Sequence, residues 1–134
     1  MQHITSLRNP AVLALKALQN RRGRDESGLF LCEGEHMFSE AVANAPQAVQ
    51  TVFVEENQTE RYAALLAAVP GAEVYTVPEQ IVKAVSQVKT PQGIAAAVYR
   101  PQPANLARLG PRVVLLENVQ DPGNVGAILR TADA

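Results

Sequence analysis

The chain has 134 residues, of which 47% are hydrophobic and 19% charged, and its formal net charge is −1. That length fits one domain of about 100–150 residues with part of a second. Aromatics are only 4% and Trp is absent, so Ala, Val and Leu must do most of the core filling. No apolar run approaches the roughly 18 residues of a membrane span, and Met1–Ser6 has no apolar stretch of a signal peptide. Cys32 is the single cysteine, which excludes an intramolecular disulfide, and with two scattered histidines it offers no metal constellation. A reduced cytoplasmic protein with no membrane segment and no metal is expected. The near-neutral charge is uneven: Arg8, Lys16, Arg21, Arg22 and Arg24 precede any acid, and Asp25 is the first carboxylate. Such a block reads equally as a polyanion-facing surface or as a solvated helix end.

Asn9-Pro10 predicts a helix start, because Asn is a favoured cap and Pro is tolerated at the first helical position. Leu13, Leu15, Ala17 and Leu18 would supply its stripe and Gly23 its stop. Leu29–Cys32 reads as a strand covered on both faces, with Cys32 as a small packed hydrophobe. Met37, Phe38, Ala41, Val42 and Ala45 recur at helical spacing up to Pro46, and Val49–Val54 reads as a second strand. Tyr62, Leu65, Leu66 and Val69 predict a helix closed by Pro70-Gly71. Val74–Val77, a short helix from Pro78 carrying Ile81 and Val85, and a strand at Gly93–Tyr99 follow. The alternation predicts an α/β domain of three layers, α/β/α, over residues 1–100.

From Arg100 the texture changes. Residues 101–111 carry prolines without apolar period and read as a linker. Val113–Leu116 then signals a buried strand, and Val125, Ile128, Leu129 and Ala132 a helix. One strand and one helix cannot bury their own apolar faces, so residues 112–134 read as the opening of a second domain. Between them lies a tight loop in which Asp121 can cap the helix and Pro122 occupy its first turn, while Gly123 and Gly126 permit close approach. Such a helix start suits an anion. The loop is neither a dinucleotide fingerprint nor a P-loop.

The run Glu117, Asp121, Pro122, Asn124, Gly126, Arg130, Thr131 and Ala132 resembles the first motif of the SpoU (TrmH-like) family of RNA ribose 2′-O-methyltransferases, in the SPOUT superfamily. Upstream, Arg21-Arg22-Gly23-Arg24, Phe30–Gly34, Glu40-Ala41 and Thr90–Ile94 look like that family's substrate-binding domain, a sandwich related to ribosomal kink-turn binders. The resemblance implies an enzyme that methylates rRNA or tRNA with S-adenosylmethionine and dimerises through its knotted catalytic domain. It implies catalytic roles for Arg130 and Asn124, a motif loop of Glu117, Asp121, Pro122 and Gly126, and a cofactor site beyond Ala134. No residue of these 134 is then expected to bind the cofactor, and the chain alone is expected to be inactive. Arg21, Arg22 and Arg24 are the candidates for RNA phosphates, which position rather than specify.

Guanidinium stays protonated near neutrality, so Arg130 makes a poor general base. Its expected work is to hold ribose or phosphate and to stabilise charge developing on the 2′ oxygen. Glu33-Gly34 reads as a strand-to-helix turn, His36 as exposed, and Tyr62 and Phe38 as core. Two rival readings stand beside the enzyme: a stand-alone RNA-binding adaptor, and a small-nucleotide-binding domain using the Asp121–Gly126 loop.

Overall fold

The computed structural model describes residues 1–102 and 105–134, with Leu106 by its backbone alone. Pro103 and Ala104, part of the expected linker, lie outside the described residues. Two compact units emerge, Met1–Pro101 and Gln102–Ala134.

In the first unit, α1 (Pro10–Ala17) starts as expected: the Asn9 side chain accepts from the Ala11 amide at 2.9 Å with Pro10 in the first turn. Its buried stripe is Val12, Leu15 and Leu18, whereas Leu13 is exposed. Spacing of three residues, one turn, selects Val12 over Leu13. Gly23 does not stop this helix. It lies within a second one, α2 (Arg21–Ser27), which ends on Gly28 at φ +70°. The expected strands appear as β2 (Leu29–Glu33), β3 (Val49–Glu55), β4 (Glu73–Val77) and β5 (Ile94–Tyr99), preceded by an unforeseen two-residue β1 (Gln2–His3). The helices α3 (Gly34–Asn44), α4 (Ala63–Ala67) and α5 (Glu79–Val85) complete the unit. Met37, expected in the stripe of α3, is exposed; Phe38 and Val42 are buried.

The strands form one sheet in the order β1-β4-β3-β5-β2. β1, β4 and β3 run parallel, and β5 runs antiparallel to both β3 and β2. β2 lies at the sheet edge, yet both its faces meet a core as expected: Leu29 is buried with half-buried Leu31 on one side, and Cys32 with half-buried Phe30 on the other. The central strands β3 and β5, each flanked by a neighbour on either side, are buried on both faces. One core gathers Val12, Leu15, Ile81 and Val85 against Phe53 and Ala97. The other gathers Phe38, Val42, Tyr62 and Leu66 against Val52 and Ala96. Helices thus cover both faces, giving the expected three layers.

In the second unit α6 (Pro122–Asp133) forms as expected. Val113–Leu116 does not form a strand: no strand partner exists among the described residues, and Leu115 is 87% exposed. A strand needs a neighbour to satisfy its amides, so apolar composition alone does not make one. Among the described residues no helix is long and apolar enough to cross a membrane, and no group of three metal-ligating side chains occurs.

Cys32 sits 1% exposed in the second core, and burial pushes its thiol up to about 11, with Glu33 adding to the shift. The thiolate is the reactive form. Native protein should therefore resist iodoacetamide at pH 8 and label fully in denaturant, read by mass spectrometry. The folded state holds this proton above the ordinary thiol range while the unfolded chain releases it, so stability should fall as pH rises toward 11. Rapid native labelling would place Cys32 at an accessible edge instead.

Candidate functional site

The sequence R-R-G-R-D-E-S has no apolar face, and α2 forms for other reasons. Asn20 caps it by accepting from the Gly23 amide at 2.9 Å, and Gly28 closes it in the left-handed region. Arg21 pairs with Asp25 at 3.3 Å and Arg22 with Glu26 at 2.6 Å, one helical turn apart. Gly23 allows close packing on α1: a Cβ there would stand 2.1 Å from the Ala17 carbonyl oxygen.

The three arginines divide. Arg21 and Arg22 have side chains 89% and 87% exposed, so their ion pairs contribute little to stability and yield readily to another anion. Arg24 turns inward and donates to the Leu18 carbonyl at 2.9 Å. Arg100 donates to the Arg24 carbonyl and, at 3.0 Å, to Asp25. That hydrogen bond from Arg100 holds the Asp25 carboxyl below its usual range, with Arg21 adding to it. Arg24 thus belongs to the scaffold of α2, whereas the side chains of Arg21 and Arg22 stand in solvent.

Residues that periodicity did not single out tie the α1–α2 connection to α5 and to the end of β2. The Gln19 amide donates to the Ala84 carbonyl at 3.1 Å, and Gln87 donates back to the Gln19 carbonyl at 2.7 Å. Glu33 accepts from the Ser86 hydroxyl and from the Gln87 amide. Gly34, at φ +81°, turns the chain into α3, and the Gln92 side chain accepts from the Glu35 amide at 2.8 Å. The Tyr62 hydroxyl donates to the Gln92 carbonyl, which explains a buried Tyr in an apolar core. Polar residues at such turns carry no periodic signal, and of these only Glu33-Gly34 was legible as a turn. His36 is exposed.

In the second unit Asp121 accepts from the Gly123 amide at 2.7 Å with Pro122 in the first turn of α6, the cap read from the sequence. Asn118 takes φ +52°, so the loop reverses just after Glu117. Asn124 lies in the first turn of α6 and Arg130 in its last. Six residues separate them by about 9 Å of helix rise, on faces roughly 120° apart, so this helix alone does not bring them together. Arg130 passes Gly126, where an added Cβ would stand 3.5 Å from its guanidinium. Among the described residues Arg130 makes neither an ion pair nor a side-chain hydrogen bond, so Asp133 and Glu117 do not occupy it.

The MRM3-like substrate binding domain family matches residues 9–96. The chain is 37% identical over 134 residues to the 23S rRNA (guanosine(2553)-2'-O)-methyltransferase RlmP of Bacillus subtilis, covering all of this chain and 51% of that protein. The crystal structure of an rRNA methyltransferase from Sinorhizobium meliloti superposes with a TM-score of 0.78 at 31% identity, over 98% of this chain and 51% of that one. The SpoU methyltransferase AviRb from Streptomyces viridochromogenes, solved with AdoMet, gives 0.68 at 25% identity, over 94% and 49%. The chain spans about half the length of these proteins.

The division among the arginines is testable by urea unfolding. Arg24→Ala removes a partly buried charged donor and should cost about 1–2 kcal/mol. Arg21→Ala removes only an exposed pair and should stay within about 0.5 kcal/mol. Equal costs would contradict the separate roles.

Proposed function

The chain belongs to the MRM3-like substrate-binding domain family, and from this premise we propose that it is the RNA-recognition part of an S-adenosylmethionine-dependent rRNA or tRNA ribose 2′-O-methyltransferase. The observation that carries the reading is the pair Arg21 and Arg22, exposed on a helix that Arg24 and Asp25 hold in place through Leu18 and Arg100. Guanidinium forks suit phosphate geometry. In this reading residues 1–100 bind RNA, 101–111 link, and 112–134 open the methyltransferase domain. The whole protein is then a cytoplasmic homodimer joined through that domain.

The reaction needs a ribose 2′ oxygen to lose its proton while attacking a sulfonium methyl group. S-adenosylmethionine supplies that methyl when bound. The apolar depression formed by Val114, Ala127, Ile128 and Thr131 offers no charged group for the donor's amino-acid end, so no residue here is assigned to holding it. The chain's own contribution is Arg130, which orients ribose or the neighbouring phosphate and stabilises the developing oxyanion. Asn124 supports the same substrate from the start of α6. Glu117, Asp121, Pro122 and Gly126 set the loop: Asp121 fixes the helix start, and Gly126 leaves room for Arg130 to lie along the helix.

Two experiments test this reading. Replacing both Arg21 and Arg22 with Ala should weaken single-stranded RNA binding and flatten the plot of log K against log salt by about 0.7 per lost contact. An unchanged slope would remove these arginines from the interface. In the whole enzyme, Arg130→Lys keeps charge but loses the planar fork, and methyl transfer should fall by roughly two orders of magnitude. Turnover near that of the unmodified enzyme would return Arg130 to a surface role.

A further inference from the structure

A cavity of about 680 Å³ opens in the first unit between α1, α2 and the ends of the strands, a size in the range of small-molecule sites of about 300–1,000 Å³. Its apolar lining comes from Leu15, Leu18, Leu29 and Ala97. Its polar groups are Gln50, Thr51, Glu73 and Tyr75 from β3 and β4, with Glu26 and Ser27 from α2 and Asn9 at the start of α1. Two local departures from regular structure shape it. A register shift between Val49 and Thr51 takes Gln50 out of the β3–β5 ladder, as a β-bulge does where a side chain must be re-aimed. Gly23 lets α2 close on α1 and form one wall.

The charges sort by position. The cavity lining holds two carboxylates, Glu26 and Glu73, and neither Lys nor Arg. An adjoining depression is lined by Arg21, Arg22 and Asp25, and Glu26 is common to both. The cavity's carboxylates repel a phosphate, whereas next door one can take Arg21 and Arg22 by displacing Asp25 and Glu26 from exposed ion pairs. A ligand inside the cavity must present donors to carboxylates that only accept. A nucleotide has this division, with an anionic backbone on one side and a neutral base on the other. Among the four bases, guanine alone offers two adjacent donors, N1–H and N2–H, matched to the two oxygens of one carboxylate. Adenine and cytosine set a ring acceptor beside their amino group, and uracil flanks one N–H with carbonyls.

We propose that this cavity receives an unpaired guanine of the RNA whose phosphates rest on Arg21 and Arg22. The inference rests on the RNA-binding reading above and concerns a recognition contact, not the nucleotide that is methylated. Glu26 couples the two subsites. In the free protein it pairs with Arg22 at 2.6 Å. A phosphate arriving on Arg22 releases the carboxylate, and the two guanine donors replace the guanidinium. Gln50, whose side-chain amide reaches Tyr99 at 3.3 Å, lies on the bulge beside the base.

The test titrates the 134-residue chain with octauridylate, with the same oligomer carrying one central guanosine, and with its inosine counterpart, following fluorescence anisotropy. The guanosine oligomer should bind about tenfold tighter than octauridylate, the yield of one bidentate base contact. Inosine lacks the N2 amino group and should lose most of that gain. Glu26→Gln should equalise the three oligomers, because a neutral amide cannot accept both guanine donors. Free guanosine monophosphate should compete only at far higher concentration than the oligomer. Equal binding of all three oligomers by the unmodified chain would overturn the guanine site and leave the RNA reading standing. Competition by the monophosphate at oligomer concentrations would assign the cavity to a free nucleotide and overturn the RNA assignment. Failure of every oligomer to bind would overturn both.

Discussion

The structure depends on one strand of small residues buried on both faces. From Ile94 to Val98 every side chain of β5 is at most 3% exposed. Ala95 and Ala97 belong to one core, and Ile94, Ala96 and Val98 to the other. Alanine on both faces lets helices approach the sheet from either side, and an interior at close-packed density tolerates little extra volume there. Because β5 joins β3 to the edge strand β2, its position also sets where the chain can emerge at its end. Arg100 follows immediately, donates its amide to the Gly28 carbonyl at 2.8 Å, and reaches Asp25 with its guanidinium. The core strand thus holds down the helix that carries the exposed arginines.

Electrostatics then divide labour among residues that composition treats alike. The five early cations suggest a strongly positive surface, but α2 also carries Asp25 and Glu26, which pair with Arg21 and Arg22. Such exposed pairs are weak in water and are exchanged easily for a phosphate. Arg24 and Arg100 instead satisfy backbone carbonyls and keep the helix in place. Arg130, in the second unit, makes no ion pair or side-chain hydrogen bond among the described residues.

Much of this was legible in the sequence because it rested on local rules. Asn9-Pro10 and Asp121-Pro122 follow from capping rules and the structure reproduces them, while the spacing of Tyr62, Leu65, Leu66 and Val69 gives a helix only over Ala63–Ala67, with Leu65 half-buried and the other three buried. The helix α2 was hidden because Gly23 reads as a stop and no apolar stripe contradicts it. Its signals were instead the Asn20 cap, two ion pairs one turn apart and Gly28. The antiparallel sense of β5 was not legible, since apolar patterning within a strand is the same whichever way its neighbours run. Val113–Leu116 misled for the opposite reason: apolar residues mark a strand only where a neighbour can accept its hydrogen bonds. The cavity beside α1 and α2 was out of reach, because it depends on a bulge at Gln50 and on the approach of two helices.

The central claim is that the folded first unit presents α2 as its RNA-binding face. Amide chemical-shift mapping of the chain during titration with single-stranded RNA tests this most directly. Shifts concentrated over Arg21–Ser27 and the adjoining strand ends at Gln50 and Glu73, with α3 and α4 unmoved, are the predicted result. Shifts concentrated on α3 and α4, with α2 unmoved, would contradict it.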